Sequence, residues 1–506
     1  MSLSTTLGHR LGRRAFVVGT LATTGAALLS ACGQSAPATP TTPPKPAATS
    51  APPPVAVGGQ ASPAASPAAA ASPAAAASPA AAASPAAAAS PATAPSPAAS
   101  PAASPAAQQA PAISGRSVEI AFSHIWATPP GATAAQLHPA EQVVNAYNAK
   151  NTGVKVASRV DSTVYIESLQ KAQADMAAGR PPALVMTPWA FINFADAALN
   201  ATNLEDIAPP GQLDTLLANM TPAAVDLVTL NGKRKGFPYA LSCPVIYYNN
   251  DILKKAGVEP AALFKDWASF AELGPKIRAV TDAPIIGVGT NSDWPAQSLI
   301  QSAGGRILND DNTPALDSAE AITAMKTIAD LNKAGLWSTA TFQENNAAFS
   351  GGTLPMFMAS VAALGGFRRS LSFDFNTSTF PLFAGKPRRM SAGGSYIGVY
   401  AKDKDQQAGA WDFIKYAASE EGTKIWLQTG YLNATKYQVP TLPGQESAYT
   451  QFNEGLTRET AWPGRRGAEA SRVWDGYVQR IWSNDVGVEE GLKQAKAELQ
   501  ALFSQG

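Results

Sequence analysis

The chain has few of the residues from which metal and catalytic sites are built. Only 2 cysteines and 3 histidines occur in 506 residues, so a zinc site or a cysteine–histidine catalytic pair has little to be assembled from. The 38 basic and 37 acidic residues nearly balance, which gives no indication of a nucleic-acid partner. A Walker-type loop, G-x-S-x-G and a strand-to-helix G-x-G-x-x-G are also missing. We therefore expect no catalytic residues, no metal and no cofactor.

The first 31 residues have the pattern of an export signal. Two arginines at 13 and 14 precede an uncharged run that ends in the letters LSAC, the last of which is Cys32. Threonines and glycines make this run too polar for a permanent membrane span. LSAC resembles the lipobox of bacterial lipoproteins, and GRRAF resembles a twin-arginine signal, with an ordinary Sec signal as the alternative. We expect lipid attachment at Cys32, which leaves Cys243 without a disulfide partner.

Residues 32–112 are dominated by alanine, proline and serine. Lys45 is the only charged residue of this stretch. A segment without large apolar side chains cannot offset the entropy lost on ordering, and the recurrent prolines interrupt helices. The composition predicts a disordered tether between a lipid anchor and a globular body.

The body, about 390 residues from Arg116 onward, is too long for one ordinary core and suggests two lobes. Short β-like segments alternate with amphipathic helical ones, a pattern typical of α/β architecture. The first expected elements are a strand at 117–122, a helix at 141–150, a strand at 154–160, a helix at 165–179 and a strand at 182–187. Such a β-α-β-α-β start is typical of a doubly wound lobe.

The block GFPYALSCPVIYYNNDILKKAGVEP at 236–260 is the most informative stretch of the body. Its VIYY run predicts a strand because β-branched and aromatic residues favour strands. An asparagine at 249 or 250 could cap the short helix that follows, and Gly257 would close it.

This block resembles the family 1 extracellular solute-binding proteins, the substrate receptors of ABC importers. Further segments resemble the same family: AAFSGGTLPMFMAS, SAGGSYIGVYAK, TGYLNATK and the C-terminal helix at 488–503. The resemblance covers about 117–506. SAGGSYIGVYAK and TGYLNATK are most similar to the glycerol-3-phosphate-binding branch, whose near relatives bind sugars.

The resemblance implies an α/β fold of two hinged lobes, the type II periplasmic-binding-protein architecture. The first lobe would comprise 117–241 and 395–455, and the second 242–392 and 460–506. The chain would cross between them near 241–242, 394–395 and 456–460. The lobes would close over a ligand by hinge motion.

The expected ligand contacts come partly from chemistry and partly from the resemblance. Sugar and polyol sites need aromatic faces for C–H surfaces and polar groups for oxygens, and a phosphorylated ligand would need an arginine. The resemblance places contacts at a serine, a glycine, a tyrosine and this arginine. The expected set is Tyr239, Ser242, Trp294, Gly394, Tyr431 and Arg466. Core packing is the alternative for each aromatic residue, a plain turn for the glycine and a solvated surface pair for Arg465 and Arg466.

Three positions depart from the glycerol-3-phosphate branch. Asn433 stands where the branch has proline, Trp294 is single rather than paired, and Ile166 replaces an expected acidic residue. These departures weaken the inference of the same ligand more than that of the class.

The sequence therefore predicts a lipid-anchored, extracytoplasmic and monomeric receptor that delivers a sugar or phosphorylated polyol to the transmembrane subunits of an ABC permease. Two alternatives stay open: a cell-surface enzyme that degrades glycans or phosphodiesters, and a ligand receptor for a sensor kinase. The enzyme would need a carboxylate pair or a nucleophile–base set, and no such set has diagnostic spacing.

Overall fold

The computed structural model describes residues 117–289, 292–458 and 460–505. The expected signal peptide at 1–31, the lipid-attachment residue Cys32 and the tether at 32–112 lie outside these ranges. The strands are β1 (Val118–Ser123), β2 (Val154–Arg159), β3 (Leu184–Pro188), β4 (Thr229–Leu230), β5 (Lys233–Arg234), β6 (Gly236–Ser242), β7 (Pro244–Asn249), β8 (Ile286–Val288), β9 (Met356–Ser360), β10 (Phe375–Ser378), β11 (Met390–Ser391), β12 (Gly393–Val399) and β13 (Leu456–Thr457).

The α-helices alternate with these strands along most of the chain. They are α1 (Pro139–Asn148), α2 (Tyr165–Ala177), α3 (Ile192–Leu199), α4 (Gln212–Ala218), α5 (Pro222–Leu227), α6 (Asn250–Lys255), α7 (Pro260–Leu263), α8 (Trp267–Arg278), α9 (Asp293–Ser302), α10 (Ala319–Lys333), α11 (Phe342–Ser350), α12 (Leu364–Ser370), α13 (Lys404–Ala417), α14 (Glu420–Trp426), α15 (Glu446–Gly455), α16 (Gly467–Trp482) and α17 (Val488–Phe503). Within the described ranges, none of these helices has the length and apolar character needed to cross a membrane.

The first sheet has the strand order β2-β1-β3-β12-β6. β1 pairs in parallel with β2 and β3, whereas β12 runs antiparallel to β3 and β6. Every residue of β3 is buried, because α2 packs on this strand from one side and α1 and α13 cover the sheet from the other. The β-α-β-α-β start predicted from the sequence is confirmed.

The second sheet has the order β10-β7-β9-β8. β8 and β9 are parallel, and β7 runs antiparallel to both β9 and β10. β7 contains the predicted VIYY strand, and all six of its residues are buried. The sequence of such a strand is a nearly continuous apolar run because both faces of the strand are covered.

Three chain segments cross between the sheets within the described ranges. β6 leads into β7 through Cys243, β11 leads into β12 through Ala392, and β13 pairs in parallel with β11. β6 and β12 are paired at the crossing, where Ser242 lies opposite Gly393. Two α/β lobes joined by crossing strands are therefore the observed architecture, as expected.

The segment 443–455 belongs with the second sheet, although 395–455 was expected in the first lobe. The Gln451 side chain accepts from Phe380 N at 2.7 Å and donates to Pro244 O at 2.8 Å. The Arg368 guanidinium donates to Pro443 O at 2.7 Å. α15 also contacts β7 and β10. α15 thus satisfies buried polar groups of the second lobe through contacts that are not local in sequence, and the expected bounds of the lobes stay predictions.

Local signals position the ends of the helices. The Asn249 side chain accepts from the backbone N–H groups of Asp251 at 2.9 Å and Ile252 at 3.2 Å, so Asn249 rather than Asn250 caps α6. Gly257 follows this helix with φ +62°, and Gly179 follows α2 with φ +73°. Both glycines have the left-handed backbone that commonly ends a helix.

Candidate ligand-binding cleft

The carboxyl ends of the parallel strands in both sheets face the gap between the lobes. In the first sheet Ser395 of β12, close to the crossing, lies opposite Pro188 at the end of β3. In the second sheet Pro244, at the start of β7, lies opposite Ser360 at the end of β9. Both crossings thus join the lobes at the carboxyl edges of their sheets. Ligands of open α/β sheets bind outside this edge, so the interlobe gap is the candidate site.

The segment 390–395, which leads from β11 into β12 and is called the crossing strand below, contains two glycines at positions where a larger residue would not fit. An ideal Cβ on Gly394 would collide with the carbonyl oxygen of Ala240, and its φ is +105°, a conformation that disfavours other residues. An ideal Cβ on Gly393 would collide with the indole ring of Trp294. Ser242, opposite Gly393, is buried. Three of the expected residues, Ser242, Trp294 and Gly394, are therefore brought together at the crossing.

An indole from each lobe is fixed to this crossing segment. Trp189 follows β3 in the first lobe and donates from Nε1 to Gly393 O at 2.8 Å. Trp294 begins the second-lobe helix α9 and donates from Nε1 to Ser391 O at 3.1 Å. Trp294 has 8% of its surface exposed. The two rings flank the crossing strand, with their polar edges satisfied by its carbonyl groups.

Tyr431 lies in an aromatic cluster of the first lobe. Its ring stacks on Trp426 with centroids 4.9 Å apart and meets the edge of Trp126 at 6.2 Å. Burial raises the pKa of Tyr431, and hydrogen bonding to Tyr165 and Trp126 partly offsets this effect. The hydroxyl is therefore neutral near pH 7 and can donate a hydrogen bond.

Tyr239 lies beneath this cluster. Its ring stacks on Trp426 at 4.2 Å, and the Trp426 indole donates to the Tyr239 carbonyl at 3.0 Å. Tyr239 has 5% of its surface exposed, close to the 6% of Tyr431. In this position Tyr239 packs beneath Trp426 and, through it, supports Tyr431. The expected ligand contact at Tyr239 stays a prediction.

Tyr165 and Ser395 add hydroxyl groups that sequence reasoning missed. The Tyr165 hydroxyl lies 2.8 Å from the Ser395 Oγ, although 230 positions separate the two residues. Tyr165 begins α2 in the first lobe and is half-buried, whereas Ser395 is buried in β12 directly after Gly394. The motif SAGGSYIGVYAK contains Ser395, but no local signal indicates its partner.

Two histidines support the cluster from the side of α1. His124 stacks with Trp126 at 5.6 Å, and Trp126 stacks with His138 at 5.8 Å. Burial lowers the pKa of His124 to about 4 and that of His138 to about 3, with His124 and Arg369 contributing to the second shift. Both rings are therefore neutral near pH 7. Within the described residues, no group of three or more His, Cys, Asp or Glu side chains is arranged to hold a metal ion.

The second lobe approaches the first beside this cluster. Arg369 in α12 is close enough for its charge to act on His138 of the first lobe. Gly365 in the same helix lies against the backbone of Gln428 and Thr429, just before Tyr431. α12 therefore forms part of the second-lobe wall of the gap.

Arg466 is not brought to the other expected residues. It precedes α16, and its Nε and Nη2 atoms donate to the Glu469 carboxylate at 2.8 and 2.7 Å. Its remaining Nη1 group donates to the Gln505 side chain. The guanidinium is thus hydrogen-bonded to neighbouring side chains, and the expected contact with a phosphate group stays a prediction.

A carboxylate pair, the buried Asp293 and the half-buried Asp475, lies beside Trp294 in the second lobe. Asp475 accepts from the backbone N–H groups of Ser292 at 2.7 Å and Asp293 at 3.1 Å, at the start of α9. Asp293 accepts from Trp294 N at 2.8 Å and from Ser471 Oγ at 2.8 Å. Burial, and secondly the charge of Asp475, raise the pKa of Asp293 to about 7. These carboxylates fix the start of α9 and so the position of Trp294.

The fold and the cleft define a two-lobed binding protein for a small solute. A sequence profile of the bacterial extracellular solute-binding proteins matches residues 142–447, more than half of the chain. The chain belongs to this family.

Curated relatives include sn-glycerol-3-phosphate-binding periplasmic proteins named UgpB. The protein of Salmonella typhimurium is 29% identical over 239 residues, which are 43% of this chain and 52% of the relative. That of Escherichia coli K12 is 28% identical over 242 residues, which are 44% of this chain and 53% of the relative. The chain thus spans about half the length of the curated relatives it matches.

Solved structures with the same fold include UgpB from Mycobacterium tuberculosis in complex with glycerophosphocholine. Its TM-score is 0.66 at 22% identity, and the match covers 76% of this chain and 98% of that one. The cyclic alpha-maltosyl-1,6-maltose binding protein from Arthrobacter globiformis gives a TM-score of 0.62 at 20% identity, covering 77% of this chain and 100% of that one. At these identities the similarity shows the fold, which is the two-lobed fold predicted from the sequence.

Proposed function

We propose that the protein is the extracytoplasmic substrate-binding component of an ABC importer, which captures a sugar or polyol between its lobes and delivers it to the permease. One observation carries this proposal. The carboxyl edges of both sheets converge on a crossing strand that is flanked by Trp189 and Trp294. The named relatives are sn-glycerol-3-phosphate-binding proteins, a UgpB in complex with glycerophosphocholine and a cyclic alpha-maltosyl-1,6-maltose binding protein. A site that holds a solute and releases it unchanged fits this arrangement.

The groups at the gap suit a polyhydroxyl ligand. Aromatic rings offer flat faces to the C–H surface of a sugar, and hydroxyl groups both donate to and accept from its oxygens. Tyr431, with 6% of its surface exposed, provides such a ring, and Tyr165 and Ser395 provide such hydroxyls. Ser360, at the end of β9, accepts from Ala362 N at 3.1 Å and keeps its own O–H as a donor.

An uncharged sugar or polyol fits these groups better than a phosphorylated one. Arg466 is bound to Glu469 and Gln505, and Arg159, at the end of β2, is paired with Asp161 and Asp175 at 2.8 Å each. A phosphate group at either position would require the guanidinium to leave its carboxylate partner. Arg369 of α12, exposed beside His138, is the cation that a phosphorylated polyol could meet at the gap without such a change. We therefore propose a neutral solute as the ligand, with a phosphorylated polyol as the alternative.

The cellular setting follows from the N-terminal sequence. Export by the signal at 1–31, lipid attachment at Cys32 and a tether at 32–112 would hold the lobes near the permease on the extracytoplasmic face of the membrane. A monomer suffices for this function. A receptor for a sensor kinase would share the fold and differ in its partner. Permease genes beside the gene for this chain would favour the importer.

A calorimetric screen tests the proposal. The panel contains monosaccharides, maltose-type oligosaccharides, glycerol, glycerol-3-phosphate and glycerophosphocholine, and each is titrated into the protein. We expect heat of binding and a raised melting temperature with at least one neutral sugar or polyol. Chemical conversion of any panel compound by the purified protein would favour the enzyme and contradict the proposal.

The variant Arg466→Ala separates neutral from phosphorylated ligands. We expect its affinity for every panel compound to match that of the unmodified protein within twofold. A selective loss of affinity for the phosphorylated compounds would show that Arg466 leaves Glu469 to bind them, and the neutral-solute proposal would then be wrong. Arg180→Ala is the control, because Arg180 is exposed on the first lobe and its side chain has no partner among the described residues.

A further inference from the structure

A second cavity lies beside the crossing strands, at the far end of α9 from Trp294. It has a volume of about 790 Å³, within the range of small-molecule sites. Its wall includes Gln301 and Ser302 at the end of α9, residues 304–308, residues 386, 387 and 389, and residues 457, 458, 460 and 461. Eight residues separate Trp294 from Ser302, which corresponds to roughly 12 Å along the helix axis. The cavity is therefore distinct from the groups proposed to bind the solute.

The cavity wall is strongly basic. Arg306, Lys386, Arg389 and Arg458 line it, against one lining carboxylate, Asp310. Asp310 is paired with Arg306 at 2.9 Å. The C-terminal end of a helix attracts cations, but its partial charge is only about half an elementary charge. The helix end of α9 therefore does not account for this number of cations.

Two of these cations have no partner among the described residues. The side chains of Lys386 and Arg389 make no ion pair and no hydrogen bond with another described side chain or carbonyl. The Lys386 ammonium lies over Gly304, and the Arg389 guanidinium lies over Gly455. Glu320 lies near Gly304 without forming an ion pair to Lys386. Exposed cations on a concave wall that form no ion pair are free to bind an anion.

Arg458 links the cavity to the first lobe. Its Nη2 atom donates to Leu227 O at 3.2 Å and Thr229 O at 3.0 Å. Its other guanidinium nitrogens make no hydrogen bond with a described residue. Arg458 is thus held at the rim of the cavity and still has donors to offer.

We propose that this cavity binds an oxyanion with two or more negative charges, such as a phosphate group of a soluble compound. Lys386 and Arg389 would bind it directly, and Arg458 would complete the set of donors. Guanidinium and ammonium groups donate charge-assisted hydrogen bonds to phosphate oxygens, and guanidinium can do so in a bidentate manner. Because the cations are exposed, the affinity must fall steeply as salt is added. This inference concerns a separate site and does not rest on the proposed solute.

Titration with inorganic phosphate and with pyrophosphate at low ionic strength tests the proposal. We expect saturable binding, tighter for pyrophosphate, and a higher melting temperature than in sodium chloride of the same ionic strength. In the variant Lys386→Gln/Arg389→Gln we expect about tenfold weaker binding or more, because two charge-assisted contacts are lost. The control Arg180→Gln/Lys276→Gln removes the same charge from exposed residues elsewhere, and it must bind as the unmodified protein does.

Two results would overturn the proposal. One is an equal response to phosphate and to chloride, and the other is binding that survives in Lys386→Gln/Arg389→Gln. Glu459 stands between lining residues in the sequence but lies outside the described ranges, so Glu459→Gln is titrated as well. An anion response seen only after Glu459→Gln would mean that this carboxylate fills the site, which also contradicts the proposal. Competition between pyrophosphate and phosphatidic acid vesicles, with phosphatidylcholine vesicles as reference, distinguishes a lipid headgroup from a soluble source.

Discussion

The buried carboxylate Asp293 gives the most direct test of the structure, through the variant Asp293→Asn. Burial, with the charge of Asp475 as the second cause, raises the Asp293 pKa from 3.8 to about 7. The folded state therefore binds a proton more tightly than the unfolded state between these two values. The stability that this group contributes is fully present below about pH 4 and is lost as pH rises toward about 7.

The size of the effect follows from the pKa shift. About three pKa units at 1.36 kcal/mol each give an upper limit of roughly 4 kcal/mol for the free energy of unfolding. Asp475 is half-buried beside it and its pKa is also raised, so the two carboxylates lose their protons in coupled steps and the part that belongs to Asp293 is smaller. We expect a difference of a few kcal/mol between acid and neutral pH.

The asparagine variant should remove this pH dependence and keep the local structure. Its amide oxygen can accept from Trp294 N, and its amide N–H can donate to Ser471 Oγ, because a hydroxyl also accepts. The free energy of unfolding of both proteins is measured by urea titration at several pH values from 4.5 to 8. We expect the variant to gain stability relative to the unmodified protein as pH rises, with the gain complete above about pH 7.

The difference between variant and unmodified protein isolates this titration from that of all other groups. Asp226→Asn is the control, because Asp226 is exposed and its side chain has no partner among the described residues. Its stability difference should not change with pH over the same range. A difference that is likewise flat for Asp293→Asn would refute the reasoning, because Asp293 would then be ionised throughout.

Three further predictions concern the cleft and the anchor. Tyr431→Ala should weaken solute binding by roughly tenfold in calorimetry, since stacking and hydrogen bonding contribute about 1–2 kcal/mol, whereas Tyr477→Ala on α16 should leave the affinity unchanged. Gly394→Ala should lower the free energy of unfolding by about 2 kcal/mol or more in urea titration, because it adds a collision at positive φ. Gly366→Ala, in open space within α12, should not destabilise the protein. Cys32→Ser should move the protein from the membrane fraction to the soluble fraction after cell lysis, and an unchanged distribution would exclude lipid attachment at Cys32.

Elements with local signals could be predicted from the sequence. The C-terminal helix was expected at 488–503 and spans Val488–Phe503. The asparagine before α6 was enough to predict its cap. The glycines after α2 and α6 were enough to predict where these helices end. Such features depend on residues within a few positions of each other, so periodicity and capping rules suffice to find them.

Features that depend on distant contacts could not be predicted. The Tyr239–Trp426 stack joins residues 187 positions apart, and the Tyr165–Ser395 hydrogen bond joins residues 230 positions apart. A single sequence contains no signal for either pair. Arg466 differs, because Glu469 follows it at i+3 across the first turn of α16, a spacing that favours an ion pair. That local signal was available and would have argued against a free guanidinium.

The crossing strand links a change in the angle between the lobes to the position of the two indoles at the site. The first-lobe indole of Trp189 is bound to the carbonyl of Gly393, and the second-lobe indole of Trp294 to that of Ser391. Ala392 lies between these carbonyls, and its N–H donates to Thr457 O on β13 at 2.8 Å. A rotation of the backbone at Ala392 or Gly393 must therefore move the two indoles relative to each other. Because Gly393 tolerates a wide range of backbone angles, we infer that opening and closing of the lobes acts at 392–393 and changes the distance between the two rings.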